Sequence, residues 1–228
     1  MKKKTIALLM VVVMLFGATV GGTIAWLTAS TSKVENTFTV GNIRIELDET
    51  NVDKATDTNT TDDVTVNGVE RDKANTYKLI PGTTYVKDPV VRVLPNSEKS
   101  YVFVQIEEKN NKVGNTTIIE FEKNTTGWTP YADGTDAENG VYVYYQIVEA
   151  TGTNTWASNS LLVEYTDNET SEKYNITIND ELTKTQLETI NDSSADEKPA
   201  LVFKACAIQF ENLDVVDAWD LAEPLLNP

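Results

Sequence analysis

Histidine is absent from this 228-residue chain, and cysteine occurs once. Without histidine there is no Ser-His-Asp or Cys-His relay, because the usual proton shuttle is missing. The same two shortages remove the ordinary zinc ligand sets, and a single cysteine excludes an intramolecular disulfide framework. Positive charge is also scarce: 19 Lys and Arg against 35 Asp and Glu give a formal net charge of −16. Three of the 19 are Lys2, Lys3 and Lys4, so the chain from Trp26 onward carries 16 basic and 35 acidic side chains, net −19. Such a chain offers no basic face to a phosphate backbone, which excludes a nucleic-acid binder. No βαβ rhythm is present, and no repeat of about 20–50 residues, which argues against a solenoid. The reading that survives is a secreted, acidic β protein that is not an enzyme, with no cofactor and no metal.

Lys2 to Lys4 form a short basic region, and Thr5 to Val20 then run almost entirely apolar through Leu8, Leu9, Val11, Val12, Val13, Leu15 and Phe16. Gly17, Gly21 and Gly22 break the helix, and small residues follow at Thr23 and Ala25. That is the layout of a signal peptide with a small-x-small cleavage site. The expectation is a signal peptide over residues 1–25, cut between Ala25 and Trp26. The alternative is a retained anchor, since Thr5 to Leu27 as a helix is about 35 Å long, enough to span a bilayer. After cleavage, residues 26–36 form a flexible N-terminal segment and residues 37–228 a single domain.

The run Gly21-Gly22-Thr23-Ile24-Ala25-Trp26-Leu27-Thr28, followed by Asn36-Thr37-Phe38-Thr39-Val40-Gly41-Asn42-Ile43, resembles the opening of TasA/camelysin-type exported proteins. Those are processed in Gram-positive bacteria by a dedicated signal peptidase, SipW. Lys204-Ala205-Cys206-Ala207-Ile208-Gln209 with Ala218-Trp219 is similar to the ending of related clostridial exported proteins, and Leu79-Ile80-Pro81-Gly82 resembles the Pro-Gly turn before the family's second core strand. The resemblance implies a jelly-roll β-sandwich, release from the membrane by SipW, and a homopolymer of a biofilm matrix or surface fibre. It implies assembly by donor-strand insertion, for which the candidate segment begins at Trp26 and Leu27 and includes Val34. Two alternatives share the export signal: a camelysin-like secreted metalloprotease, and a monomeric surface adhesin or binding module. The missing histidine and H-E-x-x-H motif weigh against the protease.

Period-two alternation marks half-buried strands. Phe38 and Val40 alternate, then Ile43, Ile45 and Leu47 on the opposite parity, with a bulge or kink expected at Gly41-Asn42. Asp48 to Asn75 is rich in Thr, Asp and Asn and reads as a solvated loop, with a small hairpin around Asn67-Gly68 as the alternative. Pro81-Gly82 reads as a turn. Ser100 to Glu107 is apolar on both faces near Tyr101–Val104, so it is expected at the centre of a sheet. Further strands are expected at Thr117 to Phe121, Val141 to Val148 and Ala200 to Phe210, with a hairpin of Leu161 to Tyr165 and Tyr174 to Ile178. Short helices are expected over Asp180 to Ile190 and Asn212 to Ala222, the second capped by Asp214 and burying Val215, Ala218, Trp219 and Ala222. Several short strands separated by turn clusters give an all-β sandwich.

Few residues point to chemistry. No carboxylate pair sits in a distinctive aromatic motif, as a glycosidase would need. Asp133 to Glu138, and Asp57, Asn59, Asp62 and Asp63, lack the spacing of a calcium loop and read as solvated. Cys206 reads as a small buried hydrophobe, or as an interchain disulfide partner. Gln209 reads as a buried hydrogen-bonding residue or a solvent-facing one. The four tryptophans are dispersed along the chain.

Overall fold

The computed structural model describes residues 42–53, 64–66, 68–73, 75–150 and 152–228. The signal segment, the cleavage site at Ala25 and Trp26, the donor candidates Leu27 and Val34, the bulge position Gly41 and the run 57–63 lie outside the described residues. In chain order the strands are β1 (Ile45–Thr50), β2 (Val64–Val66), β3 (Val69–Asp72), β4 (Thr84–Tyr85), β5 (Val90–Val93), β6 (Ser100–Lys109), β7 (Lys112–Val113) and β8 (Thr116–Thr117). They continue as β9 (Ile119–Phe121), β10 (Thr129–Pro130), β11 (Val141–Val148), β12 (Trp156–Ala157), β13 (Tyr165–Thr166), β14 (Lys173–Tyr174), β15 (Ile176–Ile178) and β16 (Ala200–Gln209). Among the described residues two α-helices accompany them, α1 (Lys184–Asp192) and α2 (Val215–Leu226). The fold is all-β, built from antiparallel sheets.

One sheet has the order β12-β5-β1-β3-β2 and a second the order β10-β11-β6-β16. The two pack face to face, since Val91 and Val93 of β5 and Ile45 and Leu47 of β1 meet Val102, Val104 and Ile106 of β6 and Phe203, Ala205 and Ala207 of β16. β6 is central, as its two apolar faces require, and Tyr101 and Phe103 on its far side pack with Val143, Cys206, Ala218, Trp219 and Ala222 under α2. The result is three layers: sheet, sheet, helix. Each fully buried valine or phenylalanine contributes about 1.5–3 kcal/mol, so a strand buried on both faces holds the layers together. A smaller sheet, β4-β15-β9, joins α1 in a third cluster around Ile118, Ile176, Ile178 and Ile190.

Local chemistry sets the element ends. The Asp214 carboxylate accepts from the backbone N–H groups of Val216 and Asp217 at 2.9 Å and starts α2. α1 begins later than the expected Asp180, because Thr183 and Gln186 form a reciprocal capping box. Thr83 donates its N–H to Ile80 O at 3.1 Å across Pro81-Gly82, with Gly82 at φ +75°, where an L side chain is strained. Pro89 stands just before β5, where its missing N–H costs no ladder bond.

Two expectations change. The 48–75 segment is not a plain loop: β2 and β3 form the hairpin around Gly68, and Arg71 and Asp72 are buried. Apolar area does not hold it; ion pairs do, as described below. The hairpin expected from Leu161 to Ile178 survives only at its tip, where β13 pairs with β14. β15 pairs instead with β9 and β4, because Ile176 and Ile178 bury more area in the small core than in a solvated ribbon.

Candidate assembly edge

An unpaired strand edge exposes a row of backbone donors and acceptors, and proteins normally blunt it. Among the described residues the edge strands other than β16 are two or three residues long. β10 contains Pro130, and the outer side of β11 is covered by Tyr131, which donates to Val143 O at 2.9 Å, and by Asp136, which exchanges two backbone bonds with Val141. β16 is different. It runs ten residues and, among the described residues, pairs only with β6.

Its free groups follow from the ladder. Phe210 donates its N–H to Lys99 O at 2.9 Å, and the register Gln209↔Ser100 makes these two residues directly opposite. In an antiparallel pair hydrogen-bonded and non-bonded positions alternate. The even-numbered residues of β16 therefore bond to β6, and Leu201, Phe203, Ala205, Ala207 and Gln209 turn their N–H and C=O groups outward. Among the described residues these five have no backbone partner. The strand carries one charge, Lys204, and no proline or glycine. Among the described residues Lys204 is thus the one usual protection this edge has: no proline, bulge or neighbouring strand covers it.

Two cavities adjoin the first half of this edge. One, of about 410 Å³, is lined by Leu47, Glu49, Lys87, Pro89, Leu201 and Phe203. The other, of about 290 Å³, lies among Tyr77, Leu79, Ile119, Ile178, Lys87 and Leu201. Both share Asn75, Lys87 and Leu201, so they line one groove. Lys87 Nζ binds Glu49 Oε1 and Oε2 at 3.1 and 2.9 Å and lies 4.9 Å from the Tyr77 ring centre and 5.4 Å from that of Phe203. Burial first, then the carboxylates of Glu49, Asp88 and Asp53, push the Tyr77 phenol well above its usual range, so it stays protonated.

Beside the groove sits an ion cluster that the sequence did not announce. Arg71 on β3 reaches Asp48 on β1 through Nε, Asp88 Oδ2 at 3.1 Å through Nη1, and the Asp48 and Asp88 carbonyls at 3.1 and 2.9 Å through Nη2. Arg92 on β5 meets the other oxygen of Asp48, which is only 3% exposed. Thr50 donates its N–H and hydroxyl to Asp88 at 2.6 and 2.9 Å. This cluster ties β1, β3 and β5 into one sheet. Its members are spread over 45 residues of sequence in no motif, which is why charge patterning alone missed them.

The remaining candidates are placed as follows. Cys206 is buried against α2, its Sγ 3.9 Å from Ala222 O, and burial pushes the thiol up to about 12. Gln209 is exposed and donates to Glu211 O. Asp136 is used by its own turn: the Asn139 side chain and then its backbone N–H hold that carboxyl below the usual range. Among the described residues no three His, Cys, Asp or Glu side chains are grouped to hold a metal ion, and no helix is long and apolar enough to cross a membrane. Trp128 and Trp156 meet edge to face at 6.4 Å inside the sandwich, and Trp219 lies under α2.

No family model, curated protein or solved structure matches the chain. The functional reading therefore rests on the edge itself.

Proposed function

We propose that this protein is a secreted structural subunit of an extracellular matrix or surface fibre, a jelly-roll sandwich that polymerises by strand addition. The observation that carries the reading is the ten-residue outer edge of β16, whose outward backbone groups have no partner among the described residues. An extended peptide adds to such an edge through main-chain hydrogen bonds, and side-chain pockets beside it set the register. The donor is the segment 26–36, freed when the signal peptidase SipW cuts between Ala25 and Trp26. Trp26, Leu27 and Val34 are the apolar residues of that segment available to the groove at Leu201 and Phe203. One subunit's N-terminus on the next subunit's edge is a head-to-tail contact that does not close, so it grows into a filament.

Electron microscopy of the chain starting at Trp26 and of a chain starting at Thr37, at equal concentration, tests this. Filaments from the first and none from the second, with matching circular dichroism, is the expected result. Filaments from both forms would place the donor elsewhere.

A further inference from the structure

α2 carries two conspicuous leucines that its packing leaves out: Leu221 is 53% exposed and Leu225 is 62% exposed. Their direction follows from the helix. Trp219 packs on Phe103 at 5.5 Å and Tyr131 at 5.2 Å, so it points across β6 toward β11, away from the free edge. At 100° per residue, Leu221 and Leu225 lie about 200° and 240° round the helix from Trp219. They stand on the opposite flank, above the outer side of β16.

α2 also runs antiparallel to β16. Val215 and Leu213 lie with Phe210 at one end, Cys206 faces Ala222 in the middle, and Lys204 Nζ is 3.5 Å from Asn227 Oδ1 at the other end. Leu225 is therefore level with Ala205. Ala205 is also the midpoint of the five outward-facing residues from Leu201 to Gln209.

We infer that this surface, the β16 edge with the Leu221–Leu225 flank of α2, binds a second copy of the same chain about a two-fold axis through Ala205. β16 pairs antiparallel with its mate, extending the four-stranded sheet to eight strands. Leu201 faces Gln209, Phe203 faces Ala207, and Ala205 faces Ala205 of the other copy. Lys204 falls opposite Cys206, so the only charge on the strand meets no like charge, and such a clash is what destabilises wrong pairings. Leu225 meets Leu225 above the axis, where the two helices run side by side. A bare donor peptide would fill the backbone edge and leave both leucines in water; a second copy covers edge and leucines together. That difference selects the occupant. The inference goes beyond the fibre reading and stands on the described residues alone. Where both hold, the symmetric pair closes the edge until a donor segment replaces it.

Sedimentation velocity of the mature chain, over about 1–100 µM where such contacts span the measurable range, tests the pair. The expected result is a two-copy species. Leu225→Glu, which sets two carboxylates together at the axis, weakens it at least tenfold, Leu225→Met keeps it, and Ala205→Pro abolishes it. Leu225 is exposed, so the Glu variant keeps its fold, checked by circular dichroism. A single-copy species throughout, or a two-copy species indifferent to Leu225→Glu, overturns the inference. Filament growth is scored separately by microscopy, so a chain that pairs normally but never forms filaments supports the pair and removes only the fibre reading.

Discussion

Among the described residues, removing Arg71 while keeping Asp48 leaves a buried carboxylate facing Arg92 alone, and takes from Asp88 its one cationic partner. Breaking a buried pair on one side costs about 3–5 kcal/mol, far more than an exposed pair contributes. Arg71→Ala is therefore expected to lower the unfolding free energy, read from urea titration, by that amount. The exposed Lys184–Glu188 pair, removed by Lys184→Ala, should shift it by less than about 0.5 kcal/mol. Cys206 gives a second residue-scale test. Its thiol ionises near 12 in the fold against about 8.5 in an unfolded chain. The folded form thus holds its proton more tightly; the associated stability is full below about pH 8.5 and is lost progressively as pH rises from there toward 12. The native protein should resist thiol alkylation at pH 8 and react once urea unfolds it. Fast labelling of the native form would mean the α2 layer opens.

At the scale of elements, α2 is held by one large side chain in a close-fitting seat. A Cβ on Gly134 would stand 2.6 Å from Trp219 Cζ2 and 3.0 Å from Val143 Cγ2. Gly134→Ala should cost about 1–3 kcal/mol through overpacking, and Trp219→Ala about 3–5 kcal/mol through the cavity it leaves. Thermal melts followed by near-ultraviolet circular dichroism check both. This helix and its cap were legible in the sequence, because Asp214 precedes apolar residues at helical spacing. So were β6, β11 and β16, strands of eight to ten residues whose apolar runs are long enough to show. The ion-paired β2–β3 hairpin was not, because its stabilising contacts join residues distant in sequence and its composition is that of a loop. The small sheet β4-β15-β9 was misjoined for a similar reason: two- and three-residue strands have too few side chains to show a period. The free edge of β16 was invisible too, since which strand lies outermost depends on topology and not on the strand's own residues.

For the whole molecule, charge sets when contacts can form. A formal charge of −16, which the proposed cleavage would take to −19 by removing three lysines, makes like chains repel at neutral pH. Carboxylates with reference pKa near 4 lose charge as pH falls, so light scattering should rise between about pH 6 and pH 4. Added calcium should act in the same direction by screening and bridging carboxylates. A flat trace under both conditions would remove electrostatics as the control on association. The central claim is that β16 presents the surface through which copies join. Residue-resolved amide exchange along β16, in dispersed and in associated protein, tests it most directly. The account predicts that the amides of Val202, Lys204, Cys206 and Ile208, bonded to β6, are protected in both states. Those of Phe203, Ala205 and Ala207 should exchange freely when dispersed and become protected on association. Association that leaves Phe203, Ala205 and Ala207 exchanging as fast as before would contradict it.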